Sequence, residues 1–115
     1  MDNCNEFLSS SNTVIGIGTT TCPSYESAKK LVEILMTKKI IACCQIDGPI
    51  NSTYIWKGIV ENSTEWRITL KFNVKNCTKI EKVVTEEHPY NNPQWITYKA
   101  NGGKKFIEWV NDPNQ

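Results

Sequence analysis

The sequence predicts an α+β domain built on one antiparallel sheet. Two observations carry this. Apolar spacing switches between the strand and helix periods along the chain, in the order β-α-β-β-α-β followed by a short helix. One stretch also alternates without a break: Trp66, Ile68, Leu70 and Phe72 face one way, and Glu65, Arg67, Thr69 and Lys71 the other.

Thr13 to Thr20 reads as a strand, with Ile15 and Ile17 on one face and Gly16 and Gly18 leaving room for close packing on the other. Ser24 is the expected N-cap of a helix, Glu26 suits its positive end, and Ala28, Leu31, Val32, Leu35 and Met36 recur at helical spacing. Lys38 and Lys39 suit its last turn. Ile40 to Ile46 is apolar on both faces and is expected as a central strand. Asp47-Gly48-Pro49 is read as a break, and Thr53 to Lys57 resumes extended structure. Gly58 marks a bend or bulge, and Asn62-Ser63 a turn into the alternating strand.

Asn76 is expected to cap a second helix with Cys77, Ile80, Val83 and Val84 on its apolar face. That helix ends at His88, because Pro89 disfavours helical geometry in the residue before it. Gln94 to Lys99 is a short strand, and Phe106, Ile107, Trp109 and Val110 form a last amphipathic helix stopped by Asp112-Pro113. This order is the ferredoxin-like split βαβ pattern, with both long helices on one face of the sheet. The other face still carries apolar side chains, and association with further subunits is the simplest cover. Four Trp in a short chain point the same way.

The 115 residues suit one domain, spanning residues 13–112 after a polar tail, residues 1–12, that reads as flexible. A formal net charge of +1 gives no field aimed at nucleic acid or a membrane surface. The longest apolar run, Ile40 to Cys44, is far below the roughly 20 residues of a membrane span. The tail lacks the basic start and apolar core of a secretory signal, so a cytoplasmic location is expected. Reduced thiols follow for Cys4, Cys22, Cys43, Cys44 and Cys77, and no CxxC pair is present. Gly102-Gly103-Lys104 lacks the spacing of a phosphate loop.

From about Val14 to Val110 the chain resembles the CutA divalent-ion tolerance family. The landmarks occur in order: Thr-rich sequence before Pro23, Ile41-Ala42-Cys43 after the first helix, and Tyr54-Ile55-Trp56-Lys57-Gly58. Acidic Glu61 and Glu65, Leu70-Lys71, His88-Pro89-Tyr90, Pro93 and Trp109 follow. The resemblance implies a ferredoxin-like homotrimer, similar in architecture to PII signalling proteins, that is not an enzyme. It implies a role in divalent metal tolerance, with no required cofactor and with copper or another divalent metal as the ion concerned.

His88 is the only histidine, and imidazole is a common ligand for copper and zinc. The family's copper proposal uses a Cys three residues before the first Pro and a His pair before Pro-Tyr. Here those positions hold Thr20 and Glu87-His88. The candidate metal contacts are therefore His88, Glu87 and Cys22, the last two residues from the missing Cys. The plainer reading of His-Pro-Tyr is that it closes the second helix. Cys43, Trp56, Glu61, Glu65, Lys71 and Tyr90 are candidates to line clefts between subunits; the plainer readings are packing for the Cys and aromatics and a solvated edge for the charges.

Two further functions are compatible with this fold class. One is a PII-like signalling or scaffold trimer that binds a small molecule or partner protein in those clefts. The other is a small hydrolase akin to acylphosphatases, disfavoured because Arg67, the one arginine, falls with the exposed set.

Overall fold

The computed structural model describes residues 13–114, so the tail at residues 1–12 lies outside the described residues. The elements are β1 (Ile15–Cys22), α1 (Tyr25–Thr37), β2 (Cys43–Trp56), β3 (Ile59–Phe72), α2 (Cys77–Glu87), β4 (Ile96–Ala100) and α3 (Lys104–Asn111). The strands form one antiparallel sheet in the order β2-β3-β1-β4. This is the predicted ferredoxin-like arrangement.

α1 begins as expected. The Ser24 side chain accepts from the Ser27 backbone N–H, and the Ser27 hydroxyl reciprocates at the N-cap, which completes a capping box. α2 starts differently. Asn76 makes no side-chain cap, and its amide donates to the Ile40 carbonyl, tying the helix start to the end of the α1–β2 connection. Asn73 performs the capping role one turn earlier, accepting from the Lys75 N–H.

Ala28, Leu31 and Leu35 of α1 and Cys77, Ile80, Val83 and Val84 of α2 pack on Ile68, Leu70 and Phe72. The other face is covered by this chain's own terminal helix, where Ile107 and Val110 bury Ile15 and Ile17. Partner subunits are therefore not required for that part of the sheet.

Three local expectations are corrected. β2 is not central: it lies at the sheet edge, although its apolar run packs on both faces, Ile40, Cys44 and Ile46 on the α1 side and Ala42 on the α3 side. Asp47-Gly48-Pro49 does not end the strand, which continues to Trp56 through a register shift between Asp47 and Ile50. The hairpin turns at Lys57-Gly58 rather than Asn62-Ser63. Both turn residues have positive φ (51° and 79°), as a two-residue type I′ turn requires, and Asn62 and Ser63 sit inside β3 opposite Thr53 and Ser52.

Cys22, Cys43 and Cys44 carry free thiols, whereas Cys77 is disulfide-bonded, so the expectation of reduced thiols does not extend to it.

Gly16 and Gly18 provide the predicted close approach. A Cβ on Gly16 would enter the Phe72 ring, and one on Gly18 would lie 2.5 Å from the Trp95 ring. Gly18→Ala is expected to lower stability by about 1–3 kcal/mol through overpacking, read as a drop in melting temperature of several degrees. An unchanged melting temperature would mean that Trp95 moves aside freely.

Candidate functional site: the His88 relay and the cleft beneath the arm

β1 reaches only as far as the Cys22–Trp66 pair, so β3 from Ile59 to Glu65 pairs with β2 alone. These residues and Ile50–Trp56 form a two-stranded arm. Among the described residues no third strand lies beside Glu65. The chain leaving α2 passes there instead, and the Tyr90 hydroxyl donates to Glu65 Oε2 at 3.0 Å. Glu65 was expected among the exposed set of the alternating strand, yet it is buried, at 8% exposure. The cause is the end of β1, which opens a space that Tyr90 closes.

His88 sits at the C-terminal end of α2, where Pro89 forces an extended backbone and its own N–H still bonds the Val84 carbonyl. The side chain is buried. Its Nδ1 accepts the Tyr90 backbone N–H at 3.0 Å, which assigns the neutral ring's proton to Nε2. Nε2 lies 3.0 Å from Thr20 Oγ1 and 3.8 Å from Cys22 Sγ. Thr20 and Cys22 are alternate residues of β1 and so share a face. Thr20, the position of the family's Cys, is thus the direct partner of His88. A chain of contacts runs from β1 through His88 and Tyr90 to Glu65 on the arm.

Burial holds the His88 pKa below the usual imidazole value, against the opposing pull of a hydrogen bond to the Thr21 backbone and the Glu65 charge. Protonation would also set an Nδ1–H against the Tyr90 N–H. Burial pushes the Cys22 thiol up to about 11, lessened by a hydrogen bond with Ser27 and reinforced by Glu65. Burial and the bond to Glu65 raise the Tyr90 phenol to about 12.

Beneath the arm lies a cleft of about 800 Å³ lined by residues of the arm and of the 90–94 segment. Of the six cleft candidates it contains Trp56, Glu61, Glu65 and Tyr90. Cys43 and Lys71 are not among its lining residues. They face each other across β2 and β3 farther along the sheet, where the Lys71 ammonium donates to Gln45 and lies 5.8 Å from the Phe106 ring of α3. Sequence reasoning missed Tyr54, which also lines the cleft directly opposite Glu61. Strand alternation would have found it had the turn been placed at Lys57-Gly58.

The metal candidates do not come together as a centre. Glu87 is exposed on α2, while His88 turns inward to Thr20 and Cys22. Among the described residues no group of three or more His, Cys, Asp or Glu could hold a metal ion. Both imidazole nitrogens are already engaged, and the Cys22 thiol is held protonated near neutral pH. As they stand, these residues do not fit a resident metal. Arg67 forms a two-point salt bridge with Asp47, with its closer contact at 2.8 Å, so it is not presented to a phosphate.

Residues 17–113 match the CutA1 divalent ion tolerance protein family. The chain belongs to that family. A CutA homolog from Danio rerio is 28% identical over 90 residues, covering 77% of this chain and 60% of that protein. The divalent-cation tolerance protein CutA of Archaeoglobus fulgidus is 30% identical over 93 residues, covering 80% and 90%. The chain thus spans little more than half of the fish relative and nearly all of the archaeal one. Among solved structures, CutA1 from Ehrlichia chaffeensis superposes with a TM-score of 0.81 at 38% identity, covering 85% of this chain and 92% of that one. The A. fulgidus structure, described as a periplasmic divalent cation tolerance protein, gives 0.79 at 29% identity, covering 84% and 94%. No helix among the described residues is long and apolar enough to cross a membrane.

The lowered His88 pKa predicts a pH effect. The unfolded imidazole binds a proton near pH 6.5, and the folded one only at lower pH. The stability it contributes is complete above the unfolded value and falls as pH drops from there towards the folded value. Melting temperature should therefore decline as pH falls through the unfolded value near 6.5, more steeply in the wild type than in His88→Gln. Parallel pH profiles for the two proteins would overturn this.

Proposed function

We propose that this CutA family member works without catalysis, as a homotrimer in divalent-cation tolerance, with the cleft beneath the arm as its working surface. One observation carries the reading. The arm's tip exposes Ile55, Ile59 and Val60 at 72%, 63% and 65%, on a ribbon two strands wide. Two-stranded ribbons are marginal alone, and an apolar patch of this kind marks an interaction surface. β4, at the opposite sheet edge, exposes Ile96 and Tyr98. An arm laid along that edge of a second copy would cover both patches. Such a contact joins different surfaces, which gives a closed ring where the rotation between copies closes and a filament where it does not; a ring of three is the assembly we propose.

The tolerance role follows relatives named divalent-cation tolerance proteins in A. fulgidus, Thermus thermophilus and Escherichia coli. A non-catalytic role is supported by the state of the Cys22–His88 pair. The thiol is held protonated, and the imidazole Nδ1 is engaged by Tyr90, so the pair is not poised as nucleophile and base. Copper or another divalent ion at His88 would have to displace Tyr90 or Thr20 from the ring and recruit Glu87 from the surface. We therefore place tolerance in the assembly and its cleft, not in a resident ion. For compartment, the free thiols of Cys22, Cys43 and Cys44 fit the cytoplasm. The disulfide-bonded Cys77 and the periplasmic archaeal relative point the other way. A PII-like binding trimer is the second reading, favoured by the size and lining of the cleft.

Light scattering during size exclusion should give about 39 kDa, three times 13.1 kDa. Val60→Glu should shift the mass towards the single chain, whereas a monomeric wild type would overturn the assembly. In calorimetric titration with Cu²⁺, wild type and His88→Ala should bind alike. Clearly tighter binding by the wild type would restore His88 as a ligand.

A further inference from the structure

We propose that the cleft beneath the arm binds a small organic ammonium ion. This rests on reading the cleft as the working surface and names its ligand class. The β2–β3 register pairs Tyr54 with Glu61, Trp56 with Ile59 and Ile50 with Glu65. Paired residues share a face and alternate residues repeat it, so Tyr54, Trp56, Glu61 and Glu65 project from one side of the ribbon. Tyr90 closes that side from the segment after α2. The result is a pocket with aromatic faces from Tyr54, Trp56 and Tyr90 and two carboxylates.

The positive charge is what the pocket lacks. Glu65 is 8% exposed, its one hydrogen bond comes from Tyr90 to Oε2, and it makes no salt bridge among the described residues. Among the described residues no lysine or arginine lines the cleft. An enclosed carboxylate without a counter-ion is complemented by a cation that enters from outside.

Size and lining choose the kind of cation. Ca²⁺ or Mg²⁺ takes about six or more oxygens at roughly 2–2.5 Å, and Zn²⁺ about four N, S or O ligands; no group of three or more His, Cys, Asp or Glu that could hold a metal ion occurs among the described residues. The volume of about 800 Å³ falls within the range of small-molecule sites. Aromatic faces stabilise an alkylammonium ion, whose charge is diffuse and weakly hydrated, through the ring quadrupole. The Lys57 ammonium, which is not among the cleft's lining residues, lies 5.9 Å from the Trp56 ring centroid, within cation–π range.

The test titrates the full-length protein with choline, in parallel with the neutral isostere in which carbon replaces the quaternary nitrogen. Tryptophan fluorescence or calorimetry reads binding, and light scattering follows the same samples. Choline should bind saturably, with the isostere weaker by about tenfold or more. Glu65→Gln, which keeps an acceptor for Tyr90, and Trp56→Ala should each weaken choline by about tenfold. Mg²⁺ at equal concentration should not displace it. Equal binding of the isostere, an unaffected Glu65→Gln, or displacement by Mg²⁺ would each overturn the proposal. So would a wild-type trimer that ignores choline, as expected if a lysine of a neighbouring copy fills the pocket; that outcome leaves the assembly standing. Choline binding by a monomer would instead sink the assembly and keep the ligand.

Discussion

A two-residue turn at Lys57 and Gly58 sets the register of two strands of 14 residues each. Both positions need positive φ, which glycine adopts freely and lysine only at a cost. Moving this turn by one residue would exchange the faces of a whole strand relative to its partner. Tyr54 would no longer oppose Glu61, and the aromatic and acidic walls of the cleft would part. The register shift between Asp47 and Ile50 lets the sheet bend between its packed body and the free arm without losing this pairing.

The body of the fold reaches the arm through His88. An imidazole is an unusual group to enclose; burial favours its neutral form here, and each nitrogen has a defined role: Nδ1 accepts from Tyr90, and Nε2 faces Thr20. This fixes the backbone of Tyr90, whose hydroxyl then fixes Glu65. A helix end, a sheet strand and the base of the arm are therefore held by three short contacts. A metal ion at His88 would have to break this chain, which is why the structural role and the metal role of the same side chain compete.

Much of the fold was legible because it depends on periodicity. The alternation from Trp66 to Phe72 and the helical spacing of Ala28, Leu31 and Leu35 report burial directly. The errors arose where tertiary context outweighs local pattern. Ile40 to Ile46 looked central because both faces are apolar, but β2 is an edge strand. Asn62-Ser63 carries turn-prone residues, yet Lys57-Gly58 makes the turn because its glycine admits the required backbone. Placing the turn five residues too late hid the Tyr54–Glu61 pair. The burial of Glu65 could not be read from alternation, since it depends on where a different strand, β1, stops. Cys22, two residues from the Thr20 position of the family's Cys, does lie near His88, but as a protonated thiol.

In the proposed trimer the arm would tie assembly to binding. One side of the ribbon carries the cleft residues Tyr54, Trp56, Glu61 and Glu65, while Ile55 and Val60, paired across the strands, project from the other. A contact that covers Ile55 and Val60 would press on the ribbon from behind and restrict its twist. The separation of Trp56 and Glu61 from Tyr90, which belongs to the packed body, depends on that twist. On this geometry the shape of the cleft is set jointly by the His88–Tyr90–Glu65 chain at the base of the arm and by whatever packs against its outer side.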